Sequence, residues 1–185
     1  MTPFEEQLRE LYVKIVWTHK IQEKAADINL ENHRRLKLMQ IMLSALTTGT
    51  ILASVFGDSK AGVIIGAVIS GVLFGIEAYT KDIDLSQKSN QHAKTAHSLW
   101  SIREDYLTLL VDMHTATLPH DELVVRRDQL KTRLDDILST APRTGDRAYN
   151  RASKALTVKK DHTFSVDELD RFLPSSLHRS SPTKE

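Results

Sequence analysis

The residues from Leu38 to Gly57 carry no formal charge, and neither do those from Ala61 to Ile76, while the sequence on both sides of this region is densely charged. A charge-free run of 20 residues, wound as a helix at about 1.5 Å per residue, covers roughly the 30 Å of bilayer hydrocarbon. The second run has 16 residues, just under the usual span of about 17 to 25. It becomes long enough if Lys60 snorkels and the helix continues through Glu77, Ala78, Tyr79 and Thr80, with Tyr79 at headgroup level. Between the runs stands Gly57-Asp58-Ser59-Lys60, a turn short enough to demand a tight hairpin. Both flanking arms then lie on one side of the membrane.

The competing reading is a pair of core helices in a soluble bundle. Such a bundle must cover both helices all round, and the remaining amphipathic segments are too few to do so. Whole-chain averages conceal the segregation: 185 residues, 26% charged, net charge +1 and a mean hydropathy of -0.30 all look soluble. More than thirty charged, amphipathic residues precede the first run, the wrong arrangement for a cleavable signal peptide, so both runs are expected to remain in the mature protein. The chain has no cysteine, which removes disulfides and thiolate metal sites and suits a reducing compartment. Lys24, Arg34, Arg35 and Lys37 precede the first span, and Lys81, Lys88 and Lys94 follow the second, against Lys60 in the turn. The positive-inside rule puts both termini in the cytoplasm.

The fold expected is therefore an all-α membrane protein, a two-helix transmembrane hairpin continuous with a cytoplasmic helical bundle. Its parts are an N-terminal cytoplasmic helix (1–37), two transmembrane helices (38–57 and 61–80), a cytoplasmic helical region (82–174) and a flexible tail (175–185). Thr2-Pro3-Phe4-Glu5 reads as an N-cap, a first-turn proline and a capping-box glutamate, and no glycine or proline follows before the membrane, so one helix is predicted from residue 3 into the bilayer. A second amphipathic helix uses Ala96, Leu99, Trp100, Tyr106, Leu107, Leu110 and Met113 and ends near Pro119. A third, about His120 to Ala141, is closed by Pro142. Short helices are predicted from about Gly145 to Leu156 and after the capping box Ser165-Val166-Asp167-Glu168. Trp17 and Trp100 are read as core anchors in preference to a ligand platform.

The two spans differ in chemistry. In the second, Gly62, Gly66 and Ser70, and beside them Ala67, Gly71 and Gly75, form two small-residue ridges suited to close helix packing and oligomerisation. In the first, Gln40, Ser44, Thr47 and Ser54 share one face, and a polar stripe in hydrocarbon belongs against protein or water. These four, with Glu77 near the end of the second span, are the pore-lining candidates. Two bland alternatives stand beside them: hydroxyls bonding back to their own helix carbonyls, and an ordinary interfacial carboxylate at Glu77.

Outside the hairpin no catalytic constellation is present. The eight histidines supply no i, i+4 pair and no H-E-x-x-H, the glycines supply no phosphate loop, and neither a metal site nor a cofactor is expected. One soluble segment is unusual: Arg143, Arg147, Arg151, Lys154, Lys159 and Lys160 face a single acid, Asp146, and the arginines recur at every fourth residue. This reads either as a surface that is solvated or rests on anionic headgroups, or as a phosphate-binding face built from Arg143, Arg147, Arg151 and Lys154. No DNA or RNA binding is expected.

Four blocks around the hairpin suggest a family: I-E-A-Y-T-K-D-I-D from Ile76, H-A-K-T-A-H-S-L-W-S-I-R-E-D-Y-L-T-L-L-V-D from His92, A-P-R-T-G-D-R-A-Y-N-R-A-S-K-A-L from Ala141, and T-F-S-V-D-E-L-D-R-F-L-P from Thr163. In these the sequence resembles the SLATT family, two-transmembrane effector domains associated with nucleotide second-messenger systems in prokaryotes. The resemblance implies an inner-membrane effector of antiviral defence that oligomerises to form a pore or otherwise breaches the membrane. The signal would be a cyclic or other nucleotide second messenger, and the outcome abortive infection. It implies no catalytic residues. The alternative is a membrane-tethered module that senses a ligand or recruits a partner without conducting.

Overall fold

A computed structural model describes residues 2–57, 60–174 and 178–179. It is entirely helical over those residues: α1 (Pro3–Gly57), α2 (Lys60–Asp82), α3 (Leu85–His114), α4 (His120–Thr140), α5 (Asp146–Ser153), a π-helical turn (Lys154–Val158) and α6 (Val166–Phe172). The hairpin turn at Asp58 and Ser59 and most of the tail expected at 175–185 lie outside the described residues.

The single uninterrupted first helix predicted from Thr2-Pro3 is present. The Glu5 amide donates to Thr2 Oγ1 at 3.3 Å, and the 55 residues that follow make a rod of about 80 Å at 1.5 Å per residue. One stripe organises the whole rod. From Leu8 through Tyr12, Ile15, His19, Gln22, Ala26 and Asn29 to Leu43, Thr47, Thr50 and Ser54, covered residues recur in alternating steps of four and three. That is the 3.5-residue period of a coiled-coil seam, carried from the soluble end through the apolar run. The returning strand of the hairpin has the matching stripe. In α2 it comprises Gly62, Gly66, Ile69, Leu73, Ile76 and Thr80, and in α3 it runs from Leu85 through Ser89, His92, Ala96, Leu99, Arg103 and Tyr106 to Met113. The break between α2 and α3 at Ile83-Asp84 is sealed by Asp84, whose carboxylate caps α3 by accepting from the Gln87 amide at 2.8 Å. Both arms leave the apolar section at the same end.

Along this seam the filling changes with depth. At the end far from the apolar runs, Leu8, Ile15, Leu99, Ile102, Tyr106 and Leu109 join Leu123, Leu130 and Leu134 of α4 in the hydrophobic core. The middle is polar: Gln22 contacts His92 Nδ1 at 2.6 Å and donates to the Pro142 carbonyl at 3.1 Å, and Ser89 donates to the Ala26 carbonyl at 2.9 Å. Such a buried, satisfied layer fixes the register of α1 against α3 and the 141–145 segment, because sliding by a turn strands every partner. Burial holds the His92 imidazole below its ordinary pKa, so it stays neutral in this layer.

The shorter helices follow the sequence with adjustments. The helix expected over 145–156 is α-helical from Asp146 and becomes a π-turn from Lys154, closed by the Lys159 amide on the Lys154 carbonyl. Its Ala148, Ala152 and Ala155 are buried and let it lie close on α1, while Tyr149 stacks on Trp17 with ring centroids 6.0 Å apart. The capping box before α6 is formed in both directions. Trp100 and Leu107, expected in the core, are each 39% exposed. The seam passes between them through Arg103, and Trp100 lies at its edge.

Candidate functional site

The apolar runs form a hairpin whose outward faces are uncovered. Ile41, Val55 and Phe74 are 66, 72 and 73% exposed, and Leu38, Met42, Val63, Ile64 and Val68 are exposed with them. A pair of soluble-core helices would have buried these side chains. Left open along the apolar sections of both helices, they form a surface of the length and composition that suits a bilayer.

Inside the hairpin the packing is close because of α2's glycines. A methyl group built on Gly62 would stand 2.9 Å from the Thr50 carbonyl and 3.0 Å from Ser54 Cβ; on Gly66 it would stand 3.0 Å from Thr50 Oγ1. The Gly62, Gly66 ridge is therefore occupied by α1 of the same chain. The other ridge is not: Cβ atoms at Gly71 and Gly75 would meet nothing within 4 Å, and Ala67 is exposed, as is Ser70, where the first ridge leaves α1. The polar stripe of α1 divides in the same way. Thr47 and Ser54 are half-buried on the α2 side, whereas Ser44 is exposed. Thr47 and Thr48 donate to the carbonyls of Leu43 and Ser44, at 2.9 and 3.0 Å, the back-bonding that satisfies a hydroxyl within its own helix. Gln40 lines a cavity of about 330 Å³ at the α2–α3 break, with Lys37, Thr80, Lys81 and Asp84. Glu77 is exposed one turn from it.

The basic segment is less uniform than its sequence. Arg143 precedes α5 rather than sharing its face, so the four-residue recurrence holds on the helix for Arg147 and Arg151 alone. Arg151 forms a forked ion pair with Glu31 of α1, at 3.1 and 3.2 Å, and its hydrogen bonds hold the Glu31 carboxyl below the usual range. Arg143, Arg147 and Lys154 are exposed, without ion pairs among the described residues. A cavity of about 250 Å³ beside them is lined by four cations, Lys24, Arg151, Lys154 and Lys159, and three carboxylates, Asp27, Glu31 and Asp161.

A second polar cluster escaped the sequence reading. On α1, His19 and Lys20 are 4 and 6% exposed. Lys20 Nζ lies 2.9 Å from Glu23 Oε2 and 3.0 Å from Asp161 Oδ2, which ties the segment after the π-turn to α1. The His162 ring approaches His19 and Trp100 with centroids 5.7 and 5.5 Å apart, and Arg103 lies over Trp100 at 3.7 Å. Burial pushes the His19 pKa down to about 4, so its imidazole is neutral. No metal site was expected, yet the donor atoms of His19, Glu23 and His162 all lie within 4.8 Å of one another. The legible half of this cluster is the i, i+4 spacing of His19 and Glu23; His162 is 143 residues further on, and only the fold brings it back.

Comparison with known proteins adds one match. The sequence model of the SMODS and SLOG-associating 2TM effector domain family 4 matches residues 4–168. No curated protein and no solved structure matches the chain.

Proposed function

The chain belongs to the SMODS and SLOG-associating 2TM effector domain family 4, two-transmembrane effectors linked to defence systems, and from that premise we propose that it acts by oligomerising and breaching the inner membrane. The trigger in this reading is a nucleotide second messenger made in response to infection, and the outcome is abortive infection. In this reading both termini and the bundle around α3, α4 and α5 are cytoplasmic, which the excess of basic residues flanking the hairpin supports.

The observation that carries the proposal is the open ridge of Gly71 and Gly75. Glycine in a helix interior is unfavourable by about 1 kcal/mol relative to alanine unless close approach recovers it. Gly62 and Gly66 make such an approach inside the hairpin. Gly71 and Gly75 do not, which leaves them for a neighbouring copy. One hairpin cannot enclose water, so a conducting path needs such an assembly. Its lining would draw first on Gln40, Ser44 and Glu77. Thr47 and Ser54 would join only if α1 turns away from α2 on activation.

The back-bonded hydroxyls favour a second reading, a membrane-tethered module in which the hairpin is solely an anchor. A potential-sensitive dye in cells expressing the chain with its signalling partner separates the two. The effector reading requires depolarisation on activation. An activated chain that leaves the potential intact refutes it.

A further inference from the structure

We propose that His19, Glu23 and His162 form a binding site for a divalent transition metal of the zinc class, which clips the segment after the π-turn onto α1. The site is independent of the membrane activity argued above.

Three observations converge on it. His19 and Glu23 stand one turn apart on α1, the i, i+4 arrangement that directs two donors from one helix face to one point. His19 Nδ1 is buried and has no hydrogen-bond partner among the described residues, although His19 as a whole is only 4% exposed. A buried imidazole nitrogen without a partner is costly, and a metal is a partner it can have. The third donor is delivered by a constrained turn. His162 and Lys160 have φ of 65° and 55°, left-handed values uncommon for residues with a side chain, and the turn closes with the Thr163 amide on the Lys160 carbonyl at 3.0 Å. This backbone brings the His162 ring to His19.

Two imidazoles and a carboxylate suit Zn²⁺ or its neighbours, with water as a fourth ligand. A cavity of about 510 Å³ lined by His19, Glu23, His97 and Trp100 gives that water access. Tetrahedral ligands at about 2.0–2.1 Å from zinc lie about 3.3 Å apart, so the donors, now within 4.8 Å, must close in. Side-chain rotation at Glu23 and His162 would bring their donors in with the backbone unmoved. Two cations stand nearby, and each already has a carboxylate. Lys20 keeps Asp161 when Glu23 turns to the metal, and Arg103 is held by Glu104 over the Trp100 face.

The test uses the untagged full chain in detergent, stripped with chelator and titrated with Co²⁺ alone. The expected result is one equivalent bound with visible d–d absorption, displaced by Zn²⁺, and slower tryptic cleavage after Lys159 and Lys160. His162→Gln and Glu23→Gln should each weaken binding by about tenfold or more, since even indirect supports of metal ligands are worth about 10 to 100-fold. His162 lies on an exposed turn, so its replacement leaves the helical seam folded. His114→Gln, remote from the cluster, should bind as the wild type does. Absence of stoichiometric binding, or wild-type affinity in His162→Gln and Glu23→Gln, overturns the assignment.

Discussion

Replacing Gly62 and Gly71 separately by alanine puts the same methyl group on the same helix in two different surroundings. At Gly62 the added carbon stands 2.9 Å from the Thr50 carbonyl oxygen and 3.0 Å from Ser54 Cβ, and at Gly71 it meets nothing within 4 Å. A backbone carbonyl cannot rotate away, so the clash at Gly62 forces the helices apart at an overpacking cost of about 1–3 kcal/mol. Both substitutions also remove a glycine from a helix interior, which returns about 1 kcal/mol. That gain is common to both. The difference between the variants is therefore the clash itself, about 1–3 kcal/mol, with Gly62→Ala net destabilising by about 0–2 and Gly71→Ala neutral or stabilising by up to about 1. The assay is reversible unfolding in mixed micelles at a dilution that keeps the chain monomeric, followed by far-ultraviolet circular dichroism. Crosslinking in membranes then reports assembly. Gly71→Leu should abolish oligomers while leaving monomer stability untouched, and Gly66→Leu should weaken the hairpin before assembly is reached. Equal monomer stabilities for Gly62→Ala and Gly71→Ala, or intact oligomers in Gly71→Leu, would refute the division of the two ridges.

Three further expectations rest on separate contacts. Arg147→Glu with Arg151→Glu replaces two phosphate donors by repelling charges and breaks the Glu31 pair, so activation by a phosphate-bearing signal should fall about tenfold or more; full toxicity in cells supplying the signal would return this face to a solvated surface. His92 has a folded pKa below its unfolded one, so its contribution to stability is complete above the unfolded value near 6.5 and is lost as pH falls below it. The melting temperature of His92→Asn should consequently drop less than that of wild type between pH 7 and pH 5, and parallel curves would contradict this. Single cysteines at 40, 44, 47 and 54 can be placed in a chain that has none. A water-soluble thiol reagent should label 40 and 44 in the resting state and 47 and 54 after activation, and labelling confined to Ile65, Ile69 and Val72 would move the lining to α2.

What the sequence made legible was whatever depends on neighbours along the chain. The proline start of α1, the Ser165 capping box and the end of the first apolar run at Gly57 are local signals, and each has its counterpart in the fold. The 3.5-residue seam was readable only in part, because polar residues such as His19, Gln22 and Arg103 occupy it and break the apolar pattern. Trp100 was placed in the core on side-chain type, whereas its indole serves as a platform at the seam's edge for Arg103 and two histidines. The two glycine ridges look alike as strings, and nothing in their spacing tells which faces α1. Arg143 keeps the four-residue rhythm of Arg147 and Arg151, but Gly145 begins α5 after it. The three donors of the proposed metal site are joined by long-range packing, to which periodicity is blind.

Whether this hairpin breaches a membrane by assembly is measured directly by ion flux across proteoliposomes. Purified wild-type chain and Gly71→Leu, reconstituted at matched density in anionic vesicles with a trapped ion-sensitive dye, should differ on addition of extract from cells in which the signal has been made. The wild type should release the gradient, and Gly71→Leu should hold it. Vesicles that stay sealed with activated wild-type protein, or that leak equally with both, would contradict the claim.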